Sequence, residues 1–563
     1  LRGPNSVLYG AGSPAGLVNL IQKRAQSDGD TTELGLHADG NGSYYVFGDA
    51  NRVVDDRFAY RIVGKAGNRV LGIDEYDNPG AYLGFAAKYQ ATDATTVEFL
   101  LSYQDDDPDS PSGVPNGLVG TRSDEDLRDF YFGNEALEYG DRKVLNLGAQ
   151  VTHTFDNGWR LVSNTGVTKF DWSYSNLSVG GVTGTDVART QLLQDEDVTS
   201  YATDLRLEGS ALTGDVLHNL AFGIDASRFE ESALSVFYYG QDSIDFAAPD
   251  YSPITPVRDG ASWYANKNVT VEQVGIYASD EIEYGHWRAG LALRHDRNKS
   301  EGQSNTLYTV PGSGGTPGTV DLTRDDSATT GQASVGYVWD NGVSAYLSYG
   351  TSFQSFAEPG DTGTALDPTT GEQWEVGAKY LPATLDAYLS ASVYQLEEKN
   401  RPVYVQNGAG VRAYDQVGKS RIRGLELEGR ANLADGWSVT GGYSFTDSEI
   451  IGGDNNGNEL GLTPKHTFKL WASKEIQGGP LAGLTVGAGA RFIGERYAFN
   501  ANANQLDSVT LLDAAVSYDF DDGTELQVNV TNLTDEAYVS SVGYFSTYYG
   551  DGRTISATLS KKW

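Results

Sequence analysis

Acidic side chains form the densest clusters of potential ligand atoms in this sequence. Asp105, Asp107 and Asp109 have the D-x-D-x-D spacing that begins a calcium-binding loop. Such a loop also needs a glycine and a closing glutamate, where this chain has Ser110 and Asn116. We therefore predict solvated loop charges that bind divalent ions only loosely. The same interpretation applies to two further clusters, Asp124, Glu125, Asp126 and Asp129, and Asp195, Glu196 and Asp197.

Other patterns for metal, cofactor or enzyme chemistry are absent or incomplete. The chain has no cysteine, which excludes disulfides, thiolate metal sites and cysteine nucleophiles. Gly418, Lys419 and Ser420 end like a phosphate-binding loop, but Ala413 stands where its first glycine belongs. No G-x-S-x-G segment occurs. We predict no enzyme activity, no bound metal and no cofactor held by the protein. The histidines show neither metal-ligand spacing nor an obvious haem-ligating position, being scattered at residues 37, 153, 218, 286, 295 and 466.

Aromatic side chains are the residues best suited to binding a ligand. Flat rings with few rotatable bonds bury a large area at low entropic cost and can line a pocket for a bulky compound. The alternative is a structural role in loop packing or at a membrane interface. The candidate ligand-binding residues are Tyr9, Trp172, Tyr174, Tyr238, Tyr239, Phe353, Phe356 and, within six residues, Tyr544, Phe545, Tyr548 and Tyr549.

Composition and charge limit the possible partners. Of 563 residues, 41 are basic and 76 acidic, which gives a net charge of −35 and argues against nucleic acid, because phosphate binding needs a basic face. With 39% hydrophobic and 11% aromatic residues, the chain can form a large ordered structure. No apolar run approaches the roughly 18 residues of a membrane helix, so membrane contact is expected through strands. Because the chain begins at Leu1 and contains no methionine, we expect a fragment without its native N-terminus.

Polar and apolar residues alternate with a period of two, which predicts strands throughout the chain. Ile555, Ala557 and Leu559, for example, alternate with serine and threonine, and residues 384–393 and 437–445 follow the same pattern. Polar faces rich in Ser, Thr and Tyr suit a water-filled lumen better than a sandwich core.

Short turns alternate with long polar connectors along the chain. Asp156-Asn157-Gly158 is typical of the short turns. The fold class is therefore predicted as all-β, a 22-stranded antiparallel transmembrane β-barrel with short periplasmic turns and long extracellular loops. The alternative, a soluble propeller, should show an internal repeat, and none is visible. Long irregular connectors are expected near 105–142, 173–197, 230–270 and 298–327. Strands that follow a short turn are expected to start near 32, 57, 94, 158, 217, 286, 342, 384, 436, 482 and 523, and their partners near 43, 80, 143, 198, 271, 328, 372, 421, 464, 509 and 551.

Several segments resemble those of a known family, the TonB-dependent outer-membrane receptors, and within it the ferrichrome-type siderophore receptors. They occur in the expected order across the whole chain. The segments are residues 1–24 (LRGPNSVLYGAGSPAGLVNLIQKR), 370–380 (TGEQWEVGAKY), 423–428 (RGLELE), 463–466 (TPKH), 530–538 (VTNLTDEAY) and 549–554 (YGDGRT).

The resemblance implies two parts, residues 1–31 as the C-terminal remnant of a plug domain and residues 32–563 as the barrel. A complete receptor also has an N-terminal motif that pairs with the protein TonB, followed by a whole plug. Both are absent here, so this chain is not expected to transport by itself. The family's last loop often carries a cysteine pair near residues 544–548, and packing must hold it here. In similar receptors the segment with Tyr9 lies in the plug region near the ligand pocket, and the last loop places aromatics against ligand.

The function implied by the resemblance is import of a ferric siderophore, of hydroxamate type, energised through TonB. Iron would be carried within the siderophore, so the protein needs no metal ligand. The expected partners are the siderophore, TonB, and the outer membrane and lipopolysaccharide of a Gram-negative bacterium, and the expected state is a monomer. Two alternatives remain open. One is a TonB-dependent importer of another cargo, such as cobalamin or an oligosaccharide, and the other is a passive porin, which would lack the plug tail.

Overall fold

The fold is a closed antiparallel β-barrel. The computed structural model describes residues 3–258, 263–308, 318–358, 365–406, 412–543 and 545–563. In this part of the chain each long strand pairs with its neighbours in sequence, and the first strand pairs with the last, for example Leu36 opposite Leu559. The predicted 22-stranded barrel is confirmed. Its strands are β1 Thr31–Asp39, β2 Tyr44–Val53, β3 Phe58–Asn68, β4 Pro79–Thr92, β5 Thr95–Asp106, β6 Tyr139–Thr154, β7 Arg160–Thr183, β8 Asp186–Thr213, β9 Val216–Asp245, β10 Trp263–Tyr284, β11 Trp287–Tyr308, β12 Arg324–Val338, β13 Val343–Gln354, β14 Thr369–Tyr380, β15 Asp386–Gln406, β16 Arg412–Asn432, β17 Trp437–Ile451, β18 His466–Glu475, β19 Leu484–Ile493, β20 Val509–Asp519, β21 Thr524–Thr531 and β22 Thr554–Lys562.

Short helices, 3₁₀ turns and short strands lie in the connections between these barrel strands. Helices span Ser6–Tyr9 and Asp124–Arg128, and 3₁₀ turns span Ala434–Gly436 and Gly479–Leu481. No helix among the described residues is long and apolar enough to cross a membrane. The additional short strands are Val114–Pro115, Gly318–Asp321, Arg496–Tyr497, Gln505–Leu506, Val539–Val542 and Ser546–Tyr549.

The two faces of the barrel wall differ in chemistry as the alternation predicted. The residues before β1 form an N-terminal tail inside the barrel. Lys23 of this tail contacts Asp49 on β2, which places the Asp49 side chain on the inner face. Because the side-chain period is two, Val46 on the same strand and Leu36 and Leu559 on the neighbouring strands point outward, where all three are exposed. An apolar outer face and a polar inner face are what a barrel in lipid requires, since a closed sheet leaves no backbone group unpaired there.

Several strands extend well beyond the bilayer, so the predicted loops 173–197, 230–270 and 298–327 were wrong over much of their length. In the last of these, β11 continues to Tyr308 and β12 begins at Arg324. Residues 173–197 form the tip of a continuous hairpin of β7 and β8, which turns at Gly184 with φ of 64°. β9 continues into the predicted 230–270 loop and ends at Asp245, and β10 begins within the same predicted loop at Trp263. Above the membrane no apolar outer face is needed, so these strand ends have the polar composition of loops. About 10 residues suffice to cross the bilayer, whereas β9 has 30.

The N-terminal tail lies inside the barrel along the wall. At its upper end Gly12 N–H donates to the Phe353 carbonyl over 2.8 Å. Lower down, Lys23 Nζ lies 2.6 Å from Asp49, and Arg24 donates to Gln150 over 2.7 Å and to Glu98. Ionic contacts therefore hold this tail to the lumen wall. The identity of residues 1–31 as the end of a plug domain stays a prediction.

Candidate functional site

Tyr9 lies at the upper end of the tail, where the helix Ser6–Tyr9 ends. Its side chain is 53% exposed. Gly10 follows with φ of 79°, and a Cβ there would come within 2.3 Å of Gln273 Nε2 on β10. A left-handed conformation and close approach to the wall both favour glycine. The backbone is thus held against the wall while the preceding phenol ring stays accessible within the barrel.

A buried ionic cluster in the barrel wall supports this turn. The Arg294 side chain on β11 is 0% exposed, and Nη2 donates to Asp225 and to Asp296, each over 2.7 Å. Gln273 Nε2 donates to the same Asp296 carboxylate over 2.8 Å. The cluster thus joins three adjacent strands directly beside Gly10. Sequence reasoning missed these residues, although the inward parity of β10 and β11 would have placed them on one face.

Trp172 and Tyr174 lie together on the inner face of β7, near the outer end of the barrel. Their ring centroids are 5.0 Å apart. The strand register sets Trp172 opposite Arg142 and Glu196, so its indole stands among polar side chains. Its Nε1–H is buried without a hydrogen-bond partner among the described residues. These two rings therefore form a pair, as their i, i+2 spacing on a strand implies.

The aromatic stretch of the last loop forms a hairpin that is tied to another loop. The strand Ser546–Tyr549 pairs with Val539–Val542 on one side and with Val114–Pro115 of the loop 107–138 on the other. Tyr549 O–H donates to Asp124 over 2.8 Å, and this hydrogen bond gives Tyr549 a structural role. Phe545 and Tyr548 remain 47% and 42% exposed. Tyr544 lies outside the described residues.

An outer hydrophobic core, which the sequence did not reveal, holds these loops together. Its residues come from the loop 107–138, from the tips of β7 and β8, and from the end of β9 and the residues after it. Tyr549 and Tyr251 pack against it. The last loop has no disulfide, and it is held by this core, by its strand pairing with Val114–Pro115 and by the Arg128–Asp535 ion pair at 3.1 Å. The buried members are Val114, Leu118, Leu127, Phe132, Val179, Val187, Ile244 and Phe246.

The remaining aromatic candidates are dispersed around the outer end of the barrel. Tyr238 stacks against the Arg258 guanidinium at 4.8 Å from its centroid, while Tyr239 is exposed and Phe356 half-buried. Phe353 is 4% exposed, and its backbone binds the tail. Phe353 is therefore placed as a support for the tail more than as a surface for ligand.

The D-x-D-x-D segment is used for loop structure. Asp106 pairs with Arg142, and Asp107 accepts the Gly140 N–H over 2.8 Å. Asp109 accepts the Asp77 N–H over 2.8 Å, and burial raises the pKa of Asp109 to about 6. The described residues contain no group of three or more acidic or histidine side chains arranged to hold a metal ion.

Shortening one side chain of the outer core should loosen the loops without affecting the barrel. Ile244→Val removes one methylene from a fully buried position, and we expect a loss of about 0.5–1.5 kcal/mol. The measurement is the opening free energy of residues 107–138 by amide hydrogen exchange. Ile276→Val, on the exposed outer face of β10, is the control and should leave those amides unchanged. An equal effect of both variants would contradict the assignment of Ile244 to this core.

The chain is similar to a defined family and to individual members of it. A family profile described as "TonB dependent receptor-like, beta-barrel" matches residues 81–533. The ferrioxamine B receptor of Salmonella typhimurium (strain LT2) is 29% identical over 578 aligned residues, covering 100% of this chain and 79% of that receptor. The ferrichrome outer membrane transporter/phage receptor of Escherichia coli (strain K12) is 28% identical over 604 aligned residues, covering 99% of this chain and 77% of the transporter.

Solved structures share the fold. The closed form of the ferric-catecholate import receptor Fiu from E. coli K12 superposes with a TM-score of 0.87 at 21% identity, covering 100% of this chain and 85% of Fiu. The siderophore receptor PiuA from Acinetobacter baumannii superposes with a TM-score of 0.85 at 21% identity, again covering 100% and 85%. At these identities the likeness concerns the fold alone.

Proposed function

The chain belongs to the TonB-dependent receptors of the Gram-negative outer membrane, and from this premise we propose that it imports a ferric siderophore of hydroxamate type with energy supplied through TonB. Members of this family are transporters rather than enzymes. One observation carries the proposal. Over 99–100% of its length the chain resembles receptors named for ferrioxamine and ferrichrome, and the ligands in both names are hydroxamate iron complexes.

The geometry of the outer end supports a ligand of this kind. A siderophore surrounds ferric ion with its own hard oxygen donors, so the receptor needs no metal ligand and contributes shape, flat apolar surface and a few hydrogen-bond donors. Tyr9 at the end of the tail and Phe545 and Tyr548 of the last loop are exposed aromatics of this type, and Trp172 and Tyr174 on the wall are half-buried ones. We assign ligand contact to these five, and a supporting role to Tyr549 and Phe353.

Binding and transport separate the possible functions. The test measures saturation binding of radiolabelled ferric hydroxamate and ferric catecholate complexes to outer membranes that hold the complete receptor, with and without iron-free competitor. We expect tight, saturable binding of a hydroxamate complex at low temperature, and uptake into cells only when TonB is present. Uptake that does not need TonB would contradict the energised mechanism and favour a passive pore.

The remaining outcomes are equally decisive. Preference for the catecholate complex would overturn the hydroxamate assignment and retain the siderophore receptor. No binding of either complex would overturn the siderophore proposal, and cobalamin and oligosaccharides would then be tested on the same membranes.

A further inference from the structure

The loop 107–138 is joined to the barrel by a buried carboxyl group that the proposed transport does not use. Glu138, directly before β6, is 6% exposed. Its Oε1 accepts the Leu177 N–H of β7 over 2.8 Å, and its Oε2 lies 2.5 Å from the Tyr131 hydroxyl. The carboxyl therefore connects the end of the loop, a ring within the loop and a strand of the barrel.

A charge on this group would be compensated only in part, by the nearby guanidinium of Arg189, which lowers the pKa of Glu138 against the larger effect of burial. Among the described residues Glu138 makes no ion pair, and the buried guanidinium of Arg189 on β8 is directed at backbone carbonyls. Arg189 donates to Asp242 O over 2.6 Å and to Gly133 O over 2.9 Å. An ionised carboxylate buried without an ion pair is costly, whereas a neutral carboxylic acid in the same place keeps both contacts, since its own O–H can donate to the Tyr131 oxygen.

We propose that Glu138 is a proton-operated latch, which seats the loop 107–138 on β7 when it is protonated and releases that loop when it is ionised. The last loop would follow, because Ser546–Tyr549 pairs with Val114–Pro115 of the same loop. Deprotonation therefore loosens the hairpin that carries Phe545 and Tyr548. This inference concerns the outer loops and does not depend on the identity of the cargo.

The direction of the pH dependence follows from the surroundings of Glu138. Burial raises the pKa of Glu138 from its ordinary value near 4.5 to about 7, against the opposing hydrogen bonds from Tyr131 and Leu177. The seated loop then binds the proton more tightly than the released loop. Protonation of Glu138 therefore stabilises the seated loop fully below about pH 4.5, and this stabilisation is lost as the pH rises through about 7. The titratable or charged groups that face Glu138 or its partner Tyr131 are Asp109 and Glu135 from the loop, Tyr174 from β7, Arg189 from β8, and Tyr251.

Amide hydrogen exchange of the receptor in outer membranes tests the latch. The quantity is the opening constant of residues 110–138 and 545–549, corrected for the intrinsic exchange rate, at pH 5.5 and 8.0. A shift of the pKa from 4.5 to about 7 implies an opening constant roughly 20- to 30-fold larger at pH 8.0. Glu138→Gln keeps an acceptor for Leu177 and a donor for Tyr131, so we expect a protected loop whose opening changes less than about twofold between the two pH values. Glu125→Gln, at an exposed position of the same loop, is the control and should keep the pH dependence.

A second variant tests the same carboxyl from its partner's side. Tyr131→Phe removes a donor that favours the ionised form, so the transition should move to higher pH. The latch is overturned if the unmodified receptor opens equally at both pH values, if Glu138→Gln keeps the full pH dependence, or if Glu138→Gln leaves the loop unprotected at both. Should Glu138→Gln fail to assemble, as judged by heat-modifiable electrophoretic mobility, the Tyr131→Phe shift decides, and an unchanged transition rejects the proposal.

Discussion

Replacing Arg294 with methionine is expected to destabilise the barrel by about 3–5 kcal/mol, because removal of one partner leaves the other buried charges uncompensated. Asp296 is 1% exposed and Asp225 24% exposed, and both bond to the same guanidinium. Methionine fills much of the volume and supplies no hydrogen-bond donor. The measurement is denaturant unfolding of the barrel refolded into lipid vesicles, in which the midpoint should fall.

The matched control lies three residues along the same strand on the opposite face. Arg297 is 69% exposed and pairs with Asp325, which is 47% exposed. An exposed ion pair contributes about 0–1 kcal/mol, so Arg297→Met should change stability by no more than that. Equal destabilisation by the two substitutions would mean that burial of the Arg294 cluster does not determine its energy. A triple variant combines Arg294→Met with Asp225→Asn and Asp296→Asn. If its unfolding midpoint lies above that of Arg294→Met alone, the result would support uncompensated carboxylate charge as the cause of the destabilisation.

The sequence predicted one end of the barrel much better than the other. Strands that follow a short turn begin within one or two residues of prediction, as at Phe58, Val216 and Trp437. At that end an apolar outer face begins next to a glycine or aspartate turn, so two local signals coincide. At the outer end β8 starts at Asp186 and not near 198. Outside lipid, a strand needs no apolar face, and its sequence cannot be told from that of a loop.

The candidate site was predictable in its residue types and not in its geometry. Aromatic clusters were visible, yet nothing local could show that Tyr549 bonds to Asp124, since 425 residues separate them. Likewise the tail that covers Phe353 lies 347 residues away in sequence. Glu138 carries no signal at all in sequence, because its burial depends on Leu177 and Arg189 from two other strands. Pairings of this kind arise from barrel closure and loop packing, which a pattern of neighbouring residues does not encode.

Replacing Tyr9 with alanine should reduce affinity for the ferric hydroxamate complex by about 30-fold or more, the loss expected when a central aromatic contact of about 2 kcal/mol or more is removed. The ring is accessible, while its backbone is fixed by the Ser6–Tyr9 helix and by Gly10 against the wall. Such a preorganised ring loses little entropy on binding, so its contact area is retained as affinity. Saturation binding to outer membranes at equal receptor density gives the ratio of dissociation constants.

Two further variants separate ligand contact from a general effect on the receptor. Tyr9→Phe keeps the ring and should bind within a few-fold of the unmodified receptor, unless the hydroxyl itself bonds to the ligand. Tyr44, 60% exposed at the start of β2, is a tyrosine of comparable exposure whose side chain points away from the lumen, and Tyr44→Ala should leave affinity unchanged. Unaltered binding by Tyr9→Ala would remove the end of the tail from the site and leave the wall and last-loop aromatics as its surface. If Arg294→Met also weakens binding while Arg297→Met does not, the wall cluster beside Gly10 acts by positioning Tyr9, because Arg294 itself is fully buried and cannot contact ligand.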